Sequence, residues 1–438
     1  MLLENGNTYK GDWKNDLSDG FGVLTYANKD KYEGQWERGL QNGQGKLFYD
    51  VGDIYDGEWL NGRKHGGPSI FKSKNGDIFE GYWQNNLKNG QGKLTYKNKD
   101  VYEGQWKDEL QHGLGKINFH DGGVYDGNFQ NSKQHGHGTY KYINSDIYEG
   151  NWENGLQNGN GNLLYKDGNR YEGNWRNGYE DGFGTLRYTN GDVYEGQFVE
   201  GMSNGLGTFK FANGDFYQGS FKEGWQNGQG KYVWKNGDVY EGSFKDDTKD
   251  GYGKLLMNNG ESYEGDWKVD KILGLGTYRY LNLDTYIGDF VNGKRIGFGK
   301  MKYADGSSYK GNWKKDMRHG DGKHIYPDGS AYDGNWKYNR RSDKGIMTEL
   351  NGDVYNGNWS DDLQHGMGTL IYDNKDQYEG YWDNGKQSGK GKMVYENGNM
   401  YGGDWDDGYQ SGYGKLVYYN GDFYEGDWKN GTQNGYGT

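Results

Sequence analysis

An aromatic residue, followed by glycine two positions later and a second aromatic four positions later, returns every 23 residues along this 438-residue chain. The first aromatics are Tyr9, Tyr32, Tyr55, Phe79, Tyr102, Tyr125 and so on to Tyr424, nineteen copies with one 24-residue step between Tyr55 and Phe79. The second aromatic is Trp in fourteen copies and Phe in five, and glycine also stands eleven and thirteen positions on in eighteen copies each. So strict a period defines units that bury surface only against their neighbours, as in a solenoid. Nothing marks a linker: prolines occur only at Pro68 and Pro327, and residues 1–438 read as one continuous array.

Each unit is short, aromatic-rich, alternating in polarity and bounded by Asn-Gly or Asp-Gly, which leaves room for strands and hairpins but not for a helix. In Gly182 to Phe198, a two-residue Asn190-Gly191 turn would put Leu186 opposite Glu195 and mix rings with charge on one face. A three-residue loop, Thr189-Asn190-Gly191 with Gly191 left-handed, instead pairs Leu186 with Tyr194, Gly184 with Gly196 and Gly182 with Phe198. One face then carries Tyr194, Gly196 and Phe198; Val193, Glu195, Gln197, Arg187 and Thr185 take the other. The same reading sets Tyr102, Gly104, Trp106, Gly113 and Gly115 on the aromatic and glycine face of their unit. Glycine leaves floor for rings, and tyrosine suits a packed face whose hydroxyls remain hydrated. A wider loop, Lys107 to His112, is expected to close the other edge. The product is an all-β, elongated, single-layer antiparallel hairpin rod of about 38 strands, roughly 180 Å long if flat at ~4.8 Å per strand.

Composition fits an ordered chain of unusual chemistry. Mean hydropathy is -1.20, yet 17% of residues are aromatic, 42 of them tyrosines, so the apolar material sits in rings. The absence of cysteine excludes a disulfide framework and thiol chemistry. No stretch approaches the ~20 apolar residues of a spanning helix, and the first ten residues lack the apolar core of a signal peptide, so an intracellular chain is expected. A net charge of -12 opposes broad binding to nucleic acid or anionic membranes.

Tyr102 to Gly123, YEGQWKDELQHGLGKINFHDGG, resembles the MORN repeat (membrane occupation and recognition nexus), and the resemblance extends over essentially the whole chain. It implies a single-layer antiparallel sheet and non-enzymatic scaffolding, as in radial spoke heads of cilia, apicomplexan cytoskeletal collars and junctophilins at membrane contacts. With neither a kinase region nor a C-terminal membrane anchor, the chain is more similar to the stand-alone cytoskeletal members, at a cilium, flagellum or cell cortex. The alternative implied by the family is a phospholipid-associated organiser at a membrane-cytoskeleton contact.

Motifs for chemistry are weak. No phosphate-binding Gly-x-x-x-x-Gly-Lys-Ser/Thr occurs. His135 and His137 could be a metal pair, but His135 fills a position shared with His65, His112, His319 and His365, which favours a repeat position over a ligand. Asp246 to Gly251 imitates the start of a calcium loop but has Met257 where a bidentate Glu is required. Acids such as Glu33, Asp56, Glu80, Glu103 and Glu149 stand opposite lysines such as Lys46, Lys93 and Lys116, as charge balance on a solvated face rather than catalytic pairs. No metal, cofactor or catalytic residue is assigned.

Breaks in the pattern are more telling. The units at 55–78 and 332–354 are irregular: Pro68 replaces a strand glycine beside the one extra residue, and Asp343 and Glu349 stand where Gly and Tyr are expected. Between Lys310 and Lys344 nine basic residues (Lys310, Lys314, Lys315, Arg318, Lys323, Lys337, Arg340, Arg341, Lys344) face five aspartates, a candidate docking patch for an acidic partner. Protein partners are expected at the aromatic face, the loop edges and the strand ends, the ends through strand addition or self-association, unless these residues are a segment of a longer polypeptide.

Overall fold

The computed structural model describes every residue except Glu4 and contains 39 strands, from Thr8–Lys14 to Thr432–Gly437, with no helix among the described residues. One strand beyond the expected number arises where Arg63–Lys64 and Gly66–Lys72 are separated at His65. The chain divides into two units, Met1–Gly214 with Ser220–Gly224, and Asp215–Gly219 with Trp225–Thr438. Each is a single-layer antiparallel hairpin array in which a seven-residue strand such as Val101–Lys107 alternates with a nine-residue strand such as Leu110–Asn118.

The expected register is the observed one. Gly182 faces Phe198, Gly184 faces Gly196 and Leu186 faces Tyr194. Tyr188 N–H donates to the Asp192 carbonyl, and Gly191 N–H, at φ +95°, donates to that of Tyr188, closing the three-residue loop. Asn190 accepts the Asp192 N–H at 2.9 Å, while the Asp192 carboxylate accepts the N–H of Ala212, twenty residues on, at 2.7 Å. The Asn-Gly-Asp signature therefore both shapes its own turn and fastens the next one.

The other edge departs from expectation. Lys107 pairs with Leu110, so no wide loop exists between Lys107 and His112; Asp108 and Glu109, at φ +48° and +72°, form a two-residue type I′ turn. The residues assigned to the loop lie in the strand. Gly104 faces Gly115 and Trp106 faces Gln111, leaving Gln105 opposite the three residues His112 to Leu114, a bulge with Gly113 at φ +68°. The turn also grips the preceding unit: Glu109 N–H donates to the Lys88 carbonyl, and the Glu109 side chain accepts the Lys88 N–H at 2.7 Å.

The bulge explains the rings. Disrupting the ladder there frees the Gln105 carbonyl, and the Tyr102 hydroxyl donates to it at 2.8 Å while its ring lies across Gly104 and Gly115. The hydroxyls are thus bonded to backbone rather than hydrated, a correction to the wet-face expectation. Trp106 Nε1 donates to the carbonyl of Gly92 in the preceding hairpin at 3.2 Å. Edge-to-face contacts link each tyrosine to its own second aromatic and to the next one: Tyr148 lies 5.2 Å from Trp152 and 4.9 Å from Trp175, and the pattern recurs in both units. Tyr102 is 0% exposed and Trp106 5%. The aromatic face is therefore covered by its own rings, and the expectation that those rings meet partners is withdrawn.

At the irregular unit, Pro68 sits in the bulge and Ser69 occupies the glycine position opposite Gly81. Ser69 Oγ accepts from the Tyr55 hydroxyl at 3.0 Å, and Trp83 Nε1 is left without a partner. At the first strand, Met1 donates through its amino group to the Tyr9 carbonyl and accepts the Tyr9 N–H, so this edge is not bare at Tyr9.

A Cβ at Gly196 would lie 2.6 Å from both Gly207 Cα and the Tyr194 hydroxyl. Gly196→Val should therefore cost about 3 kcal/mol or more. Gln197→Val, which removes only the bond to Leu206 N–H at 3.3 Å, should cost about 1 kcal/mol. Equal losses in urea titrations would refute the face assignment.

Candidate interaction surfaces

The nine basic residues between Lys310 and Lys344 do not form one surface. Arg318 and Arg341 lie on the ring face, with guanidinium carbons 4.1 Å from the Trp336 ring centre and 4.4 Å from that of Trp359. Each also donates to a carbonyl of the following turn, that of Asn339 at 3.0 Å and that of Asp362 at 2.7 Å. Arg295, outside the expected patch, does the same on Trp313 and the Asp316 carbonyl. These three arginines are structural. Lys314, Lys315, Lys337 and Arg340 line the edge of the type I′ turns, where Arg340 pairs with Asp361 at 3.2 Å. Lys310, Lys323 and Lys344 project from the polar face, all exposed.

Polar-face charges are ordered by the register. Lys116 stands between Glu103 and Asp126, and Lys415 lies 2.8 Å from Glu425. Exposed pairs of this kind contribute under about 1 kcal/mol each and set charge balance more than stability. A polar groove on this face of the first unit is lined by Asn151, Asn160, Asn162, Asn174, Glu149 and Glu172. Of the motif residues, Asp247 occupies a type I′ turn and accepts the Gln226 N–H at 2.6 Å, a role in holding the neighbouring hairpin. No group of three or more His, Asp or Glu that could hold a metal occurs among the described residues.

Two ionisable groups are buried in the ring face where the pattern favours neutral ones. Glu180 is 7% exposed at a position held elsewhere by Gln111 and Gln157, and it accepts from the Tyr165 hydroxyl. Burial pushes its carboxyl above the usual range, against the opposing effect of the tyrosine bond. His324, 7% exposed, replaces the Leu or Met of other units, and Arg318 donates to its Nδ1 at 3.3 Å. Burial first, then the Arg318 charge, lowers it to about 4, with Asp305 opposing. Both substitutions were visible in the sequence once the register was known, but neither stands in a recognised motif.

A family model described as MORN repeat matches nineteen segments, from residues 9–31 to 424–438, with a short match at 55–66 beside Pro68 and another at 332–353. The chain belongs to the MORN-repeat family. MORN-repeat proteins are generally structural scaffolds rather than enzymes. No curated protein matches the chain significantly. Among solved structures it is similar to the SAS-4 TCP domain of Drosophila melanogaster in complex with a proline-rich motif of Ana2, at 18% identity over 36% of this chain and 86% of that one, TM-score 0.25. It is also similar to the TCP10 domain of Danio rerio CPAP, at 11% identity over 61% and 93%, TM-score 0.16. A third is a virginiamycin B lyase from Staphylococcus aureus, at 10% identity over 68% and 96%, TM-score 0.12. Among the described residues no helix is long and apolar enough to cross a membrane.

The two buried groups give opposite pH dependences. Because Glu180 binds its proton more tightly when folded, its contribution is present at low pH and is lost as pH rises past the ordinary carboxylate range. Glu180→Gln should raise the thermal midpoint at pH 7, with the gain vanishing near pH 4. His324 is held neutral when folded, so its contribution is present above pH 6.5 and lost as pH falls to about 4. Relative to His324→Met, which copies Met301 and Met347, the wild type should lose roughly 1–3 kcal/mol across that interval. Parallel stability curves for wild type and variant would refute the burial argument.

Proposed function

We propose that this chain is a non-enzymatic scaffold of a cytoskeletal assembly inside the cell, of the radial-spoke type in a ciliary axoneme or at the cell cortex. One observation carries the reading. The repeated aromatic machinery is consumed in joining hairpin to hairpin, so side chains remain free for partners on the polar face and along the two turn edges. A protein built this way offers length and repeated attachment points rather than an enclosed reaction site. Family membership supports the same class of role.

Partners then bind at the polar face and turn edges, with Lys314, Lys315, Lys337, Lys344 and Arg340 supplying basic character to one stretch of edge and face. The residues 1–438 act as one continuous array in this reading. Proximity labelling with the full chain in ciliated cells should enrich axonemal or cortical proteins. A labelled set dominated by bilayer-embedded proteins, together with co-flotation of the purified chain with phosphatidylserine vesicles, would replace it with the membrane-contact alternative.

A further inference from the structure

The alternation of acid and lysine across the polar face breaks in the second unit, and from Lys300 to Lys323 like charges take its place. Lys254 stands directly opposite Glu241 on one side and Glu264 on the other. Lys300, the same position two hairpins later, stands instead between Ile287 and Lys310, and Lys310 in turn faces Lys323. Lys302 lies two residues beyond Lys300 on the same face, opposite Ser308. Like charges directly opposite one another in a sheet are destabilising. Lys323 finds Asp333 only at 3.8 Å, while Lys300, Lys302 and Lys310 have no ion-pair partner among the described residues. A local rule broken with little internal compensation is a feature of functional sites.

The surroundings state what would compensate it. Along the same strand Phe298 precedes Lys300 on the same face and is 55% exposed, and Lys310 Nζ lies 5.8 Å from its ring centre. Ile287 is 48% exposed beside Lys300, and Leu275 is 62% exposed one hairpin earlier. An apolar strip thus adjoins four lysines on adjoining strands. Asp289, opposite Leu275, and Asp321, two residues before Lys323, bound the patch.

We infer that Lys300, Lys302, Lys310 and Lys323, with Ile287 and Phe298, form a docking site for a short acidic segment of a partner protein that carries an apolar anchor. Carboxylates of the segment neutralise the opposed lysines, and the anchor covers Phe298 and Ile287. The bounding aspartates and the net charge of -12 oppose a long polyanion or an anionic bilayer, either of which would extend past the patch. The inference rests on the scaffold reading only in taking the partner to be a protein.

The test restores the pattern of the other units with Ile287→Glu and Lys310→Glu in the full chain. A random twelve-residue peptide library selected on wild type should enrich peptides combining Asp or Glu with Leu, Ile or Phe, and selection on the double variant should not. By fluorescence anisotropy the enriched peptide should bind the variant at least tenfold more weakly, and wild-type binding should weaken as salt is raised. The variant should keep or raise the thermal midpoint, which separates lost docking from lost folding. Equal enrichment on both proteins overturns the proposal. So does Lys310-dependent flotation with phosphatidylserine vesicles, or Lys310-dependent self-association, without competition by the acidic peptide. Failure of the peptide selection leaves the scaffold reading intact, because that reading falls only when bilayer-embedded proteins dominate the proximity labelling and the chain also co-floats.

Discussion

A tyrosine ring laid across two glycines is the contact on which everything else in the repeat depends. Its hydroxyl satisfies the carbonyl that the bulge strips from the ladder, as Tyr194 does for Gln197 at 2.9 Å, and its edge and face meet two large rings. A single sheet has no second layer to cover its apolar side. Here the rings lie down and cover it themselves. Glycine fills the floor except at Ser69 of the irregular unit because a Cβ there would crowd the ring, and tyrosine is favoured because a phenyl ring would leave the carbonyl unpaired. Phe79 shows the exception and lies in the hairpin next to the irregular unit, where Trp83 also lacks its usual bond.

The edges follow the same logic of reaching one hairpin away. Carboxylates at the three-residue loops, such as Asp100 on His120 N–H at 2.7 Å, reach forward, and side chains at the type I′ turns, such as Asn86 on Lys64 N–H at 2.8 Å, reach back. Backbone groups that a lone hairpin would leave open are closed by its neighbours. The polar face carries neither the rings nor the turn contacts, and the departures at Ile287 and Lys310 fall there.

Much of this is legible in the sequence. The register around Asn190-Gly191 followed from keeping Tyr194 and Glu195 on opposite faces, since a slip of one residue exchanges the faces. The second edge was misread because Lys107 to His112 looked like one wide loop, whereas Asp108 and Glu109 alone make the turn and Leu110 to His112 belong to the strand. The signal lay just before them: Asn-Gly recurs at Asn154-Gly155, Asn177-Gly178 and Asn292-Gly293, the residues of a type I′ turn. The hydroxyl bonds were invisible because nothing in a sequence shows that a bulge frees a carbonyl three residues from a tyrosine. The basic cluster was legible as composition only. Its division into stacked arginines, edge lysines and face lysines depends on which residues a bulged strand turns to each side, and Lys300 emerged only by pairing Lys310 with its neighbour across the sheet.

Trp83 shows what kind of change such a chain tolerates. The tryptophan imino group reaches a carbonyl fourteen residues back, as Trp59 does to Gly45, and one added residue beside Pro68 leaves Trp83 with none. A gain or loss of one residue within a hairpin therefore disturbs bonds on both sides of it. A gain or loss of 23 disturbs none, since every reach ends on an equivalent atom. Length in such a protein is counted in whole hairpins, and a genome can reset the distance between its attachment points by duplicating or deleting one copy without redesigning a contact.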